Sequence, residues 1–551
     1  MTTPPRHDVI ILGGGLAGLT LALHLKQERP GTDILVIERK AHPVNEAAHK
    51  VGESSVEIGA GYFTDFLGLM PHFEKDQLPK LGLRYFFGSG DIKDITTRVE
   101  LGGNVFFPTR SFQIDRGRFE NYLADLAVSR GVHFANPATV TAVEFGKDGA
   151  DHRVEYRCEE TTISAQSRWV VDASGRAGII KRKLGLAKKS GHHAHAVWWR
   201  YDRHVKIDDW SQDQDWQRQN DDLRKRWLST VHFMGVGYWV WFIPLSSGSH
   251  SVGIVVDGDL HPFDQISSYE KAMAWLRRHE PQCAERLEGR ESQVQDFLGL
   301  RDFSYSCRQV YSADRWALAG EAGAFLDPFY SPGSDYIGMG NTFIADLIKR
   351  DLSGGPIATY ASLFDTLYFT FFENHLTLYQ GQMPIFGDAK VMALKIIWDF
   401  AYYWAIPAAF FFHRRLTDLM AFGQARESLG HSSAINAGMQ KLFRDWHRSS
   451  GQIERTFVNI PAIPFMHAIN RGLQDRLDDG QFHARLQENL SLLDQLAEEM
   501  LEFARRDDPA LAVAGLGSHQ PKGSPALLED VLSLLRTIPG PPASGVLAGK
   551  A

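Results

Sequence analysis

The sequence predicts an α/β fold with a parallel, crossover-connected sheet at its amino end and helices at its carboxyl end. Three observations predict this fold: a strand, glycine turn and helix over residues 8–27, two later apolar strands that each end in an acid and small residues, and a helical pattern over about 341–506. At 551 residues the chain is too long for one compact unit, so we expect two or three sub-domains.

Composition excludes several classes of protein. Asp and Glu number 66 against 59 Lys and Arg, a net charge of −7, and 44% of residues are hydrophobic. These values exclude a disordered chain and a basic nucleic-acid binder. The three cysteines form no CxxC pair, which excludes a disulfide framework and favours the cytoplasm. No signal-peptide pattern precedes the first strand.

The first element is a short apolar strand, Asp8 to Leu12, followed by the turn GGGLAG at 13–18 and a helical pattern. This is GxGxxG in the context of a dinucleotide site. Gly13 allows the tight turn, Gly15 lets the backbone approach a pyrophosphate, and Gly18 lets helix and strand pack closely. The helix start presents unpaired N–H groups to the phosphates.

The second strand, Asp33 to Ile37, ends at Glu38. A carboxylate about 20 residues beyond the last glycine accepts hydrogen bonds from a ribose, so the pattern predicts an adenosine dinucleotide without a 2′-phosphate. FAD and NAD present the same ADP moiety to this turn, and both remain open at this point.

Three later segments distinguish the two cofactors: QIDRGRF at 113–119, WVVDASGR at 169–176 and WALAGEAG at 316–323. They resemble FAD signatures of the flavoprotein hydroxylase-like superfamily, although Glu321 stands where the superfamily has Asp. The resemblance implies a GR2-type Rossmann-like FAD-binding domain. The cofactor-binding residues are then predicted to be Gly13, Gly15, Ala17, Gly18, Glu38, Arg39, Ser54, Arg118, Asp172, Gly320, Glu321 and Ala322.

Four further segments indicate which family within this superfamily the chain resembles. They are VGESS at 51–55, LPKLGLRYF at 78–86, YWVWFIP at 238–244 with its WxWxIP pattern, and LDPFYSPG at 326–333. In this order, over about residues 7–345, they resemble the flavin-dependent halogenases, which are tryptophan-halogenase-like enzymes of secondary metabolism.

The resemblance implies a chemistry and its residues. In the family, FADH2 and O2 give a flavin C4a-hydroperoxide, which halide attacks to form hypohalous acid. Lys80 would then deliver the halogen to an electron-rich aromatic ring, a phenol, pyrrole or indole, either free or tethered to a carrier protein. Trp239 and Trp241 would wall the flavin off from the substrate, and Ser331, Gly333 and Ser334 would bind chloride or bromide. A separate flavin reductase would supply FADH2, since no second dinucleotide fingerprint is visible.

Two residues depart from the tryptophan-halogenase loop. Tyr330 stands at the position of its glutamate, which disfavours free tryptophan as substrate. Pro332 replaces a threonine and has no N–H to donate to an anion. The alternative function is therefore a flavin-dependent monooxygenase that hydroxylates an aromatic substrate.

The sequence predicts that the whole chain has three parts. Residues 1–345 form the FAD-binding module, with a substrate-covering sheet mainly from about 80–115 and 190–300; 346–514 are helical, and 515–551 form a mobile tail rich in Gly, Pro, Ala and Ser. His192, His193 and His195 lack a nearby acid in the sequence, so no metal site is predicted.

An aromatic-rich segment, 368–412, is either core or a wall for a flat or lipophilic substrate. Its part 391–412 is long enough to raise the question of a membrane span, but Lys395, Asp399 and Pro407 interrupt it. A buried or pocket-lining helix pair is favoured over membrane contact.

Overall fold

The structure is a computed structural model that describes residues 4–46, 52–88, 92–221, 223–514, 516 and 526–535. Two large sheets occupy the amino-terminal part, and helices dominate from residue 333 onward. The predicted α/β class, with a crossover-connected first sheet, a second sheet and a helical carboxyl-terminal region, is confirmed.

The first sheet contains the glycine turn. Residues 9–12 of its first strand and all of its second strand, residues 34–37, are apolar runs that are buried on both faces, as expected for parallel strands covered by helices. The seven strands run in the spatial order β7 (His133–Ala135), β2 (Ile34–Ile37), β1 (Arg6–Leu12), β10 (Thr161–Asp172), β9 (His152–Cys158) and β8 (Thr139–Glu144), with β18 (Trp316–Leu318) also paired to β10. Because β1, β10 and β18 are parallel, their carboxyl ends meet at one edge.

The second sheet packs its aromatic strand β14 at the centre, where every residue from Tyr238 to Pro244 is buried. Its eight strands are ordered β16 (Val294–Leu300), β12 (Ala194–Tyr201), β15 (His250–Asp257), β14 (Tyr238–Pro244), β13 (Thr230–Gly235), β4 (Leu83–Phe87), β5 (Val99–Gly102) and β19 (Phe457–Asn459). Two small sheets pair β3 (Leu78–Lys80) with β6 (Ser111–Gln113) and β11 (Ala187–Lys189) with β17 (Tyr305–Cys307).

The helices begin with α1, which follows the glycine turn, and become nearly continuous after α9. Their bounds are α1 (Leu16–Glu28), α2 (Glu57–Gly61), α3 (Met70–Asp76), α4 (Arg116–Ser129), α5 (Ile179–Lys183), α6 (Gln214–Arg218), α7 (Tyr269–His279), α8 (Pro281–Leu287), α9 (Gly333–Leu352), α10 (Ala358–Leu376), α11 (Ala389–Tyr403), α12 (Ala409–Phe412), α13 (Leu419–Gln424), α14 (Arg426–Trp446), α15 (Pro464–Gly472), α16 (Asp479–Ala504) and α17 (Glu529–Leu534).

The segment 391–412 is buried inside the protein. It forms α11, a π-helical turn at Trp404–Ala408 that contains Pro407, and α12. Proline removes a helix hydrogen bond, which accounts for the widened turn. Within the described ranges, no helix is long and apolar enough to cross a membrane.

The predicted division into domains remains a prediction. The second sheet takes β19 from the helical region, where it pairs in parallel with β5, so the two regions share a sheet. Most of the tail from residue 515 lies outside the described residues, and its described part contains α17.

Candidate functional site

The glycine turn has the geometry that a dinucleotide needs. Gly13 has φ +113°, and a side chain there would overlap the carbonyl of Ala173; a side chain at Gly18 would overlap the carbonyl of Gly13. A Cβ at Gly15, in contrast, would meet no atom within 4 Å. This open cradle is where a pyrophosphate would lie against the backbone.

Glu38 lies at the end of β2, beside the turn. Its Oε2 accepts a hydrogen bond from the Gly14 amide at 2.7 Å, and its Oε1 accepts one from the Lys40 amide at 2.7 Å. The turn therefore fixes the carboxylate predicted to accept the ribose hydroxyls.

A large cavity opens at this edge of the first sheet, with an empty volume of about 1590 Å³ including its open part. We call it the flavin cavity. Its lining includes most of the predicted cofactor, halide and tryptophan residues, namely Gly13, Gly15, Ala17, Glu38, Ser54, Trp239, Trp241, Gly320, Glu321, Ser331, Gly333 and Ser334.

Four other predicted cofactor residues, Arg39, Arg118, Asp172 and Ala322, are not among the residues that line the cavity. Asp172 is buried, and its carboxylate accepts hydrogen bonds from the Ser174 and Ile180 amides. Ala322 is buried, and Arg39 is exposed. Arg118 pairs with Glu46 at 3.1 Å.

Arg116, rather than Arg118, lines the flavin cavity. Its Nη2 donates to Glu120 Oε1 at 2.6 Å, and burial lowers its pKa to about 10. Burial raises the pKa of Glu321, while Arg176 and Arg116 oppose that shift. The cavity thus offers a buried guanidinium for an anionic cofactor, which fits FAD.

Lys80 lies in a second cavity. It ends β3, is 2% exposed, and its Nζ donates to the Ser55 carbonyl at 2.7 Å. Burial lowers the pKa of Lys80 to about 7, while the charges of Glu57 and Asp335 oppose the shift. Those two carboxylates line the same cavity, which we call the Lys80 cavity. Lys80 does not line the flavin cavity.

The loop 327–335 faces both cavities. Asp327 and Ser331 to Ser334 line the flavin cavity, whereas Tyr330 and Asp335 line the Lys80 cavity. An aromatic cluster backs this partition: the Phe329 ring lies 5.3 Å from that of Trp239 and 5.5 Å from that of His232. The lysine and the cofactor site are therefore in neighbouring chambers.

Three buried side chains of the loop, those of Asp327, Tyr330 and Asp335, anchor it by hydrogen bonds. Asp327 pairs with His192 at 2.8 Å. The Tyr330 hydroxyl donates to Asp399 at 2.6 Å. Asp335 accepts from the Gly59 amide at 2.7 Å and from the Tyr403 hydroxyl at 2.9 Å.

The predicted halide residues lie where the loop enters helix α9. Ser331 has φ +58°, a left-handed conformation that is strained for a serine. Pro332 precedes the first turn, and the following amides of Gly333 and Ser334 begin a helix of 20 residues. The buried Ser334 hydroxyl has no hydrogen-bond partner among the described residues. A helix start with a spare hydroxyl can hold an anion.

Comparison with known proteins finds one domain model and several relatives that resemble this chain. An FAD binding domain model matches residues 6–261. The flavin-dependent halogenase chlA of Dictyostelium discoideum is 25% identical over 436 residues, which are 73% of this chain and 70% of that protein. The 1H-pyrrole-2-carbonyl-[peptidyl-carrier protein] chlorinase of Pseudomonas fluorescens is 28% identical over 347 residues, 59% of this chain and 72% of that protein.

These relatives are flavin-dependent halogenases, and the chain is similar to them in sequence.

A solved halogenase has the same fold. The structure of halogenase PltM in complex with phloroglucinol and FAD has a TM-score of 0.65 and 15% identity, and the match covers 92% of this chain and 99% of that one.

Several site residues were not predicted. Asp335 lies in the loop itself but belongs to no motif. Glu57, His192, Asp399 and Tyr403 come from distant parts of the chain, and only the fold brings them to the loop or to the Lys80 cavity beside it. The expectation that the histidines lack a nearby acid is wrong. His193 contacts Asp302 at 2.9 Å and Asp259 at 3.0 Å, and His193, His195 and Asp302 are close enough to hold a metal ion.

Proposed function

We propose that this chain is an FAD-dependent halogenase that uses Lys80 to deliver chlorine or bromine to an electron-rich aromatic ring. The observation that carries the proposal is the placement of Lys80, buried in its own cavity and separated from the flavin cavity by the loop 327–335. A hydroxylase transfers oxygen directly from flavin to substrate and needs the substrate beside the flavin. A lysine in a neighbouring chamber suits a diffusible oxidant instead.

FAD would be held by the glycine turn, Glu38, Arg116 and Glu321. When bound and reduced, FAD supplies with O2 the oxidising power that converts halide to hypohalous acid. The amides of Gly333 and Ser334 with the Ser334 hydroxyl would hold the halide at the edge of that cavity. Trp239 and Trp241 are 1% and 4% exposed and line the flavin cavity, where they would separate the flavin from the substrate.

Lys80 would either donate a hydrogen bond to hypohalous acid or become a haloamine. With its pKa lowered to about 7, a substantial fraction of the amine is neutral at neutral pH, and a neutral amine is the nucleophile that haloamine formation requires. In either route the halogen replaces a ring hydrogen and water leaves, so one aromatic C–H and one hypohalous acid give one aromatic C–X and one water.

The substrate would be a phenol, pyrrole or indole, free or tethered to a carrier protein. Support for a tethered substrate comes from relatives named as pyrrole-carrier-protein chlorinase and brominase. A separate flavin reductase would supply FADH2.

The second candidate is an aromatic monooxygenase. Pro332 has no backbone N–H, so the anion site has one hydrogen-bond donor fewer. This observation favours a site that no longer binds halide.

The test combines purified protein, FAD, a generic flavin reductase, NADH and a panel of phenols, pyrroles and indoles, with and without bromide. The proposal predicts a product with the bromine isotope doublet in mass spectra that requires bromide. A product heavier by one oxygen, formed equally without bromide, would establish the monooxygenase instead.

A further inference from the structure

A group of positively charged side chains lies beside the flavin cavity. Residues 176–189 contain six lysines or arginines and no acidic residue, although the whole chain has a net charge of −7. This segment directly follows Gly175, which lines the cavity. We call the cations at its surface, with one more that follows strand β17, the basic patch; they are Arg176, Arg182, Lys183, Lys188, Lys189 and Arg308.

Tyr305 connects the basic patch to the rim of the flavin cavity. Strands β11 and β17 pair so that Lys189 lies opposite Tyr305. The Tyr305 hydroxyl donates to the carbonyl of Glu321 at 2.6 Å, and Glu321 lines the cavity. The Arg176 guanidinium lies 5.0 Å from the centre of the Tyr305 ring, and Arg182 donates to the Arg176 carbonyl at 3.2 Å. The positive charges therefore extend outward from the rim.

This part of the rim is accessible to solvent. Gly175, Glu321 and Phe325 line the cavity and are only half-buried. Arg176 lies 5.7 Å from the centre of the Phe325 ring. A ligand that approaches this part of the rim comes close to the basic patch.

Carboxylates neutralise little of the charge of the basic patch. Lys188 pairs with Glu373 at 3.7 Å, and both side chains are more than half exposed, so the pair is weak. The other five cations have no carboxylate within 4.0 Å in the part of the chain that the structure describes. The patch therefore keeps most of its positive charge.

The lining of the flavin cavity has no excess of positive charge. Its charged side chains are Glu38, Glu53, Glu120, Glu321 and Asp327 against Lys40 and Arg116. Pairs within this set, such as Arg116 with Glu120 at 2.6 Å, act at short range on a ligand that is already bound. An anion that is still in solution is attracted only by charge outside the lining, and the basic patch supplies it.

We propose that the basic patch attracts anionic reduced FAD toward the flavin cavity and so increases the rate at which the protein captures it. The inference rests on the proposed function, in which FADH2 arrives from a separate reductase in every turnover. The diphosphate of FAD is anionic at neutral pH, and the net negative charge of the chain repels it. A local cluster of opposite charge raises association rates by about tenfold to a thousandfold.

The test measures the association and dissociation rates of FAD with the flavin-free full chain by stopped-flow fluorescence. Oxidised FAD is the probe, because it carries the same diphosphate. The Debye length falls from about 30 Å at an ionic strength of about 0.01 M to below about 10 Å at about 0.5 M. The wild-type association rate constant is expected to fall at least about tenfold between these two conditions.

Arg182→Glu combined with Lys189→Glu reverses two charges of the basic patch. At low ionic strength the association rate constant is expected to fall about five- to twentyfold, and at high ionic strength to lie within about twofold of the wild type. The dissociation rate should change less than about twofold, since neither side chain lines the cavity. Lys183→Glu with Lys189→Glu keeps the hydrogen bond of Arg182 and is expected to act in the same way.

The matched control is Lys271→Glu combined with Arg278→Glu. Both side chains are exposed on α7 and lie outside the lining of the flavin cavity. This pair changes the net charge by the same amount as each patch pair, and its association rate constant should stay within about twofold of the wild type. Thermal midpoints of all variants verify that they fold.

A wild-type association rate that does not depend on ionic strength would overturn the inference. Equal slowing in the patch and control pairs would also overturn it, because the field would then be that of the whole molecule. If the patch pairs bound free FAD at the wild-type rate but slowed reductase-driven flavin oxidation, the patch would contact the reductase instead. Charge-dependent capture of FAD without any bromination would retain the inference and reject the proposed function, since capture is measured without reductant, halide or substrate.

Discussion

At the residue scale, the glycines of the turn are needed for different reasons: Gly13 and Gly18 for folding, and Gly15 for binding the cofactor. Gly13 and Gly18 are needed by the fold itself, since side chains there would overlap backbone atoms, whereas Gly15 borders open space at φ −84°.

Gly15→Ala is therefore expected to fold normally and to weaken FAD binding by at least about tenfold, because its methyl group occupies the space of the pyrophosphate. The measurement is the Kd for FAD by flavin fluorescence, together with the thermal midpoint of the apoprotein. Gly31→Ala, where a Cβ also meets no atom within 4 Å, is the matched control and should bind FAD as the wild type does. Unchanged affinity in Gly15→Ala would place the pyrophosphate elsewhere.

Lys80 lowers the free energy of unfolding by an amount that depends on pH. Its folded pKa of about 7 lies below the unfolded value of 10.5. Between these values the unfolded chain binds the extra proton, so the free energy of unfolding rises with pH from about 7 to 10.5. Below pH 7 the destabilisation by Lys80 is fully present.

Lys80→Met is accordingly expected to be more stable than the wild type at pH 6, by about 2–4 kcal/mol, and the advantage should shrink as pH approaches 10. Denaturant melts at pH 6, 8 and 9.5 measure this. Lys441→Met, at a side chain that is 65% exposed, should show no such trend. A constant difference across these pH values would mean that the Lys80 pKa is not lowered.

The sequence predicted the residues that are adjacent to backbone motifs, and it missed those that meet only in space. The glycine turn and Glu38 were predicted from local spacing, whereas Lys80 was predicted only from the resemblance to the halogenases. Asp335 and Glu57 carry no such pattern, and each becomes meaningful only when α2 packs against the start of α9. Arg118 was selected over Arg116, because the sequence does not show which side of the α4 start faces the cavity.

At the element scale, the loop 327–335 contains a 3-10 turn at Pro328–Tyr330 and the start of α9, and buried side-chain contacts fix both to the rest of the protein. Ser331 adopts a strained backbone conformation between the anchors at Asp327, Tyr330 and Asp335. Such strain persists where surrounding contacts fix the backbone.

Tyr330→Phe removes the hydrogen bond to Asp399 and leaves the ring in place. The expected result is a KM for bromide raised about threefold to tenfold with an unchanged Kd for FAD, because the amides at Gly333 and Ser334 lose their fixed position. Steady-state bromination at varied bromide concentration measures it.

Tyr379→Phe serves as the control, since its hydroxyl contacts His375 and not the loop. An unaltered bromide KM in Tyr330→Phe would show that the Asp399 contact has no part in halide binding.

Helices and strands were predicted correctly in segments where one apolar periodicity dominates. β1, α1 and β2 follow directly from their apolar periodicity. β19 was not predicted, because three residues at 457–459 give no periodic signal and the strand exists only through pairing with β5. The segment 391–412 was correctly assigned to buried helices, since its charges pair inside the protein, as Lys395 does with Asp399.

At the scale of the whole molecule, the fold arranges cavities in series. The first sheet positions the flavin cavity, the second sheet and the loop 327–335 flank it, and Lys80 lies in the next cavity, with a third cavity among helices α9, α10, α11 and α14 beyond. The resemblance to the halogenases was visible in the sequence because its motifs lie in short local segments within or beside the strands. The helical region has no comparable motif, and its cavity depends on packing between helices that are far apart in sequence.

The measurement that tests the central claim most directly compares the wild type with Lys80→Ala in one reaction, following NADH-driven flavin oxidation and brominated product together. The account predicts normal FAD binding, flavin reoxidation within about twofold of the wild type, and product bromination reduced at least about a hundredfold in Lys80→Ala. Bromination that persists without Lys80, at the wild-type rate and with the same product, would contradict the claim that Lys80 transfers the halogen between the two chambers.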